Sequence, residues 1–348
     1  MKNAKYDCTF VTYSGLPDLD PDDLLAFTIL QKRGYRCQAA IWDDPRIDWS
    51  TAGLCIIRST WDYHLKLAQF SSWLERLATT TAVQNHPDLV RWSMHKSYLR
   101  HLAAVGVATV PTIWLKRGSD CRLDIEMSGQ GWSKAVIKPA VGLATSGVKV
   151  VSYQDVGAGE QHARRLLADG DLMLQPYIES VKSYGERALV FIKGEYSHAV
   201  RKTAFQALLP AGQAGETFVE AQPEELETAR QTLRLLPAAY RSAGAADSGA
   251  LDAVAFENPP LYARVDLVRD NEDRPIVIEL ELVEPSLFLS LYPPAATTLA
   301  NGIERLLTTK AVLVAQAGMA GGSAAAPSTL AAEIAASCSE QAGTANQP

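Results

Sequence analysis

The segment "YARVDLVRDNEDRPIVIELELVEPSLF" constrains this chain more than any other stretch. A strand-like run from Tyr262 to Val268 is followed by a polar turn, Arg269 to Arg274, that Pro275 ends, and a second apolar run follows. The two runs are expected to pair as an antiparallel hairpin. Alternation in the second places Ile276, Ile278, Leu280 and Leu282 on one face and Val277, Glu279, Glu281 and Val283 on the other. If Asp266 lies opposite Glu279, the antiparallel step puts Arg264 opposite Glu281. One face then holds Arg264, Asp266, Glu279 and Glu281, and the other holds Val265, Leu267, Ile278, Leu280 and Leu282 as a core side.

A solvated edge strand accounts for two glutamates facing water. Three carboxylates beside one arginine ask for more. At a separation of about 4 Å and an effective dielectric of about 20, each like-charged pair costs about 4 kcal/mol. Such groups stay hydrated, share a proton, or hold a divalent cation. Oxygen ligands without His or Cys suit Mg²⁺ or Mn²⁺ rather than zinc, and Mg²⁺ commonly completes its shell with water and nucleotide phosphate. The hairpin therefore directs attention to groups that could hold a phosphate.

The rest of the chain is compatible with that search. Its 348 residues have room for two or three domains, and a net charge of −6 gives no support to nucleic-acid binding. Cys8, Cys37, Cys55, Cys121 and Cys338 are widely spaced, form no CxxC pair, and read as reduced thiols of a cytoplasmic protein. The start, "MKNAKYDCTFVTY", lacks a signal-peptide core, and no apolar run is long enough to span a membrane.

The first third alternates strand and helix. Residues 8–13, 36–42 and 53–59 read as strands, with helices over 21–34 and 65–78, an α/β layout with a parallel sheet. Ligands of such sheets gather beyond the carboxyl ends of the strands, where "YSGLPDLDPDD" and "RSTWDYH" lie. A single helix is expected over 91–106. From there the chain reads as α+β with mostly antiparallel sheets: strands at 134–140 and 148–152 around the small-residue loop 141–147, a strand within 171–180, and a hairpin over 187–204 turning at Gly194. From Ala315 the chain is rich in Ala, Gly and Ser and reads as a loose tail, with a short helix near Thr329 to Ala336. No role is assigned to it.

Lys138, at a strand end before Pro139, and Lys96, in "SMHKSYL", are the first phosphate candidates. Either lysine alone is more commonly solvated. Gly142, Thr145, Ser146 and Gly147 are small enough to bring backbone N–H groups close to phosphate oxygens, although the loop matches neither a P-loop nor a dinucleotide-binding pattern. In "HAVRKTA", alternation lets only one of Arg201 and Lys202 face a given cleft.

Taken in order, helix Lys, strand Lys with glycine loop, "LQPYIES", "YGERALVF" and the acidic hairpin resemble the ATP-grasp ligases, especially their glutathione-synthetase-like branch. The resemblance covers roughly residues 85–310, after an N-terminal α/β pre-grasp domain over 1–84 and before a tail over 311–348. It implies ATP and Mg²⁺ (or Mn²⁺) as cofactors. It implies Lys96 and Lys138 on the ATP phosphates under a lid that includes Gly142, Ser146 and Gly147, with Gln175, Tyr177 and Ile178 bordering the adenine. Glu186, in place of the family's Asp, is implied near the ribose or the phosphate edge. Arg201 and Arg264 are implied at the transferred phosphoryl group, and Asp266, Glu279 and Glu281 at the metal. Glu281 stands where the family has Asn, which keeps an oxygen ligand and adds a charge.

The stretches "IRSTWDY", "MHKSYL" and "IELELVEPSLFL" further resemble the cyclo-ligase group that closes O-ureido-D-serine to D-cycloserine. That resemblance implies a carboxylate activated as an acyl phosphate and attacked by nitrogen, in a small amino-acid-like substrate, with neither nucleic acid nor membrane as partner. Relatives in this superfamily are often homodimers, and no hydrophobic stripe here marks such an interface. Arg58, Ser59, Trp61 and Asp62 are the candidate substrate wall, with Thr60 and Tyr63 beside them, and Glu284 stands outside the core set. No Ser-His-Asp or Cys-His arrangement is visible, the scattered histidines read as structural or solvated, and His198 is singled out because it lies on a strand beside Arg201. Two other readings use the same residues: a grasp that binds nucleotide without turnover, and a metal-dependent hydrolase that would not need Lys96 or Lys138.

Overall fold

The structure, a computed structural model, describes residues 4–143, 146–203, 215–243 and 258–321, with side chains in the last helix described as far as residue 309. Met1–Ala300 forms one compact unit and Asn301–Pro348 a second.

The chain opens with parallel strands β1 (Tyr6–Thr12), β2 (Cys37–Ile41), β3 (Ala52–Ser59) and β4 (Ala82–Gln84), in spatial order β2-β1-β3-β4. Helix α1 (Pro21–Lys32) joins β1 to β2, and α2 (Leu67–Thr80) joins β3 to β4. Local chemistry explains the start of α1: the Asp20 carboxylate accepts from the Asp22 amide at 2.9 Å and Pro21 occupies the first turn. Gly34, at φ +90°, then reverses the chain where a side chain would be strained. Trp42, Phe70 and Trp73 lead an aromatic core against one face of this sheet, with Trp42 and Phe70 ring centroids 5.2 Å apart. Order reverses between β1 and β3, so the loops after those two strands meet at a switch point where α/β sheets bind ligands.

The expected helix over 91–106 is two helices, α3 (Pro87–Ser93) and α4 (Tyr98–Ala104). Between them the Lys96 amide donates to the Ala140 carbonyl at 2.8 Å, and the Ser97 amide donates to His95 Nδ1 at 3.2 Å. These bonds compete with the helix ladder and place Lys96 at a corner.

Two antiparallel sheets follow. One contains β5 (Ile113–Leu115), β6 (Lys134–Pro139), β7 (Lys149–Ser152) and β8 (Leu172–Pro176), in order β5-β8-β6-β7. It packs against α5 (Leu123–Gly129) and α6 (Val156–Leu167) through Leu123, Met127, Ile137, Ala163 and Leu174. The other contains β9 (Glu186–Ile192), β10 (Glu195–Lys202), β11 (Glu216–Val219), β12 (Tyr262–Arg269) and β13 (Pro275–Glu281), in order β11-β10-β9-β12-β13. Helices α4 and α7 (Pro223–Ser242) cover one of its faces.

Asp266 pairs with Glu279 and Arg264 with Glu281, the expected register. One residue later the register shifts: Leu267 faces Val277, and Ile278 is the extra residue of a β-bulge. The bulge corrects the expected faces. Val277 joins Leu280 and Leu282 in the main core, while Ile276 and Ile278 pack with Val110, Ile178, Val181 and Val268.

The boundary expected at 84/85 falls inside the first unit. Asn85 ties the sheets together there, donating to the Tyr262 and Leu282 carbonyls at 2.8 Å each and accepting from the Leu261 amide at 2.8 Å. The last helix, α8 (Pro294–Gly321), continues past the expected tail boundary at 310/311, and the short helix expected near Thr329 to Ala336 lies outside the described residues. Among the described residues no helix is long and apolar enough to cross a membrane.

Candidate active site

The hairpin of β12 and β13 brings three acids together. One oxygen from each of Asp266, Glu279 and Glu281 lies within 4.8 Å of the others. Asp266 is fully buried, and the two glutamates are partly exposed. The donor set is all carboxylate, close enough to share one ion, which fits Mg²⁺ or Mn²⁺.

Three cations from separate elements meet these acids. Lys96 Nζ reaches Glu279 at 2.7 Å and donates to the Gly142 carbonyl at 3.0 Å. Lys202 Nζ reaches Asp266 at 2.6 Å and Glu186 at 2.9 Å. Arg264 donates to both oxygens of Asp266, at 2.8 and 2.9 Å, and also to Glu281. The charges therefore compensate one another inside the cleft. Burial alone would raise the Asp266 pKa, but Arg264 and Lys202 hold it at about 2. Glu279 is likewise lowered, against its burial, by Lys96. Glu281 is pushed up to about 7 by burial, Arg264 opposing and Glu279 and Asp266 adding to the rise.

Lys138 projects from β6 toward the same region, where burial lowers its pKa while Glu186 and Glu279 favour its charge. The β6–β7 loop passes close over Pro139: a side chain on Gly147 (φ +73°) would meet the Pro139 ring at 2.8 Å. Gly142, Ser146 and Gly147 lie in this loop, whose Thr145 falls outside the described residues. Gln175, Tyr177 and Ile178 lie where β8 leads toward β9, the stretch joining the two antiparallel sheets. Gln175 is buried with Oε1 unpartnered, and Ile178 packs beside the bulged Ile278.

Of the two neighbours that alternation left open, Lys202 is the one that meets the acids, whereas Arg201 points to the opposite face of β10 and donates to the Tyr184 and Ser183 carbonyls at 2.9 and 3.0 Å. The signal was present in strand parity: Lys202 pairs with Glu186, and Arg201 with Arg187. His198 is also structural. It is buried, bridges the Leu287 carbonyl and Ser197, and stacks on Tyr292.

The expected substrate wall is largely engaged within the fold. Buried Arg58 pairs with Asp23 at 2.8 Å, donates to the Pro285 carbonyl at 2.7 Å and stacks over Tyr262 at 4.6 Å, leaving only Nη1 unpartnered. Ser59 donates to the same Asp23 at 2.6 Å, and Asp62 accepts from Trp42 and Lys66. Arg58 therefore ties the end of β3 to the segment after β13, while Ser59 and Asp62 are held by residues of the N-terminal α/β region. Trp61 is partly exposed and donates to the Glu284 carbonyl at 3.2 Å.

Comparison with known proteins agrees with this geometry. Residues 8–85 match the family model of the D-cycloserine synthetase DcsG N-terminal domain. The cycloserine biosynthesis protein DcsG of Streptomyces lavendulae is 34% identical over 278 residues, 78% of this chain and 90% of that protein. The crystal structure of D-cycloserine synthetase DcsG is similar at a TM-score of 0.76 and 30% identity, covering 86% of this chain and 99% of that one. The fold is shared at 15% identity with D-alanine–D-alanine ligase from Bacillus anthracis, at a TM-score of 0.55 over 89% of this chain and 99% of that one. This chain belongs to the family of DcsG and shares the fold of the ATP-grasp ligases.

Proposed function

We propose that this ligase uses ATP to phosphorylate a carboxylate of a small amino-acid-like substrate and then joins the activated carbon to nitrogen within the same molecule, as in cycloserine formation. The observation that carries the reading is the set of Asp266, Glu279 and Glu281 surrounded by Lys96, Lys202 and Arg264. The 34% identity to DcsG over most of both chains supports the ring-closing outcome.

Phosphoryl transfer needs positioning and charge neutralisation more than a covalent nucleophile. Asp266, Glu279 and Glu281 would hold Mg²⁺, or Mn²⁺ in its place, which when bound neutralises phosphate charge. Lys96 and Lys202 are ammonium groups able to exchange a carboxylate for a phosphate oxygen, and Lys138 adds a third. The loop carrying Gly142, Ser146 and Gly147 would cover the phosphates. Gln175, Tyr177 and Ile178 would border the adenine, with Ile278 extending the apolar patch and Glu186 toward the ribose. Arg264 would orient the acceptor carboxylate. In the reaction a carboxylate oxygen takes the γ-phosphoryl group as ADP leaves. The nitrogen then attacks the acyl carbon, losing its proton, and phosphate departs as the C–N bond forms.

The test is ADP release by purified protein with Mg-ATP, with O-ureido-D-serine beside a panel of amino acids, and with the product's mass determined. Release stimulated by the ureido compound, with a cyclic product, supports the reading. Stimulation only by other acids, or a linear product, would replace the ring-closing part of it.

A further inference from the structure

One acid near the cluster has no role in the arrangement above. Glu284 follows β13, is only 4% exposed, and its Oε1 has no hydrogen-bond partner. Burying a carboxylate oxygen without a donor is costly, and such groups are usually paired. Among the described residues Glu284 makes no salt bridge, whereas Lys96, Lys202 and Arg264 are each committed to another acid.

Its position is fixed from several sides. The Tyr262 hydroxyl donates to the Val283 carbonyl at 3.0 Å, and Trp61 donates to the carbonyl of Glu284 itself. Arg58 donates to the Pro285 carbonyl at 2.7 Å, and Arg264 to the Ser286 carbonyl at 3.1 Å. The segment therefore cannot easily swing to give the carboxylate to water. The charged groups that act on it are Glu281, Lys96 and Glu279, which places it beside the acid cluster, and it in turn acts on the buried Tyr63. Burial and then Glu281 push its pKa up to about 8, a state that a bound cation would reverse.

Resting on the ligase reading, we propose that Glu284 binds the amino group of the amino-acid-like substrate, with Oε1 accepting from it and setting the distance between that amine and the carboxylate to be phosphorylated. Among the described residues Oε1 lacks a donor, the only backbone bond to this carboxyl coming from the Glu284 amide itself, and an amino-acid acceptor carries one. A metal bound at the cluster does not fill the role, because Glu284 lies outside the set of three oxygens that converge. Glu284 thereby selects acceptors bearing an amine next to the reacting carboxylate.

The experiment compares ADP release with O-ureido-D-serine and with its desamino analogue, 3-(ureidooxy)propanoate, for the wild type, Glu284→Gln and Glu284→Asp. The wild type is expected to prefer the amine-bearing compound by about tenfold or more in kcat/KM. Glu284→Gln should lose that preference through a raised KM for the amine-bearing compound, with the KM for ATP unchanged, and Glu284→Asp should restore part of it. Equal losses on both compounds, or a preference retained in Glu284→Gln, would overturn the proposal. ADP release by the wild type only with acceptors that lack an amine would keep the ligase and overturn the role of Glu284. Release with no carboxylic acid would overturn both.

Discussion

Lys96 and Glu279 form an ion pair at 2.7 Å, joining the corner between α3 and α4 to the bulged strand β13. The lysine is thus held beside the acids it would share with nucleotide, and Glu279 depends on it for compensation. Lys96→Ala should lower the Tm of the metal-free protein, and Mg²⁺ should raise the Tm of the variant by more than that of the wild type. Thermal unfolding at two Mg²⁺ concentrations measures this. Equal Mg²⁺ increments in both proteins would separate Lys96 from the metal site.

Adjacent residues on β10 should behave differently. Lys202→Ala removes the partner of buried Asp266 and of Glu186, and should reduce ADP release by about a hundredfold or more. Arg201→Ala removes bonds to two carbonyls on the far face and should stay within about tenfold of the wild type. Steady-state rates for the two variants decide between them.

Asn85 links β4 to β12 and the end of β13 through two carbonyls and one amide. Asn85→Ala leaves those buried groups without that partner, a loss of about 3 kcal/mol. Urea unfolding should show the midpoint falling accordingly. A midpoint unchanged from the wild type would show that the three bonds do not hold the sheets together.

Acid should weaken the fold through His198. Burial lowers its pKa from 6.5 to about 4, so the folded protein keeps the imidazole neutral while the unfolded chain takes up a proton. Its contribution is fully present above pH 6.5 and is lost as pH falls toward 4, by about 3 kcal/mol in total. His198→Gln should flatten the stability profile across that window, as read from urea midpoints at several pH values.

The pairing of the hairpin's acids was legible as a condition, since placing Asp266 opposite Glu279 sets Arg264 opposite Glu281, the pairing observed. The bulge at Ile278 was not, since an inserted residue leaves the apolar run looking continuous while moving Val277 to the core. The break between α3 and α4 was hidden for a related reason: the Lys96 amide is satisfied by Ala140, a partner outside the helix pattern. Arg58 could be placed at a strand end, but its partner Asp23 lies on α1, and only the packed structure shows that the pair is buried. At Arg201 and Lys202 adjacency left the facing residue open, and the pairing across Lys193 and Gly194 (φ +53° and +81°) settles it.

The proposed reaction requires a substrate carboxylate to become the phosphorylated group. Running the reaction to completion with O-ureido-D-serine labelled with ¹⁸O in its carboxylate, and measuring the mass of the released phosphate, tests it most directly. One ¹⁸O atom is expected in each phosphate formed. Phosphate released at the same rate without label would contradict it, because the bond broken would then not be one made to the acceptor's carboxylate.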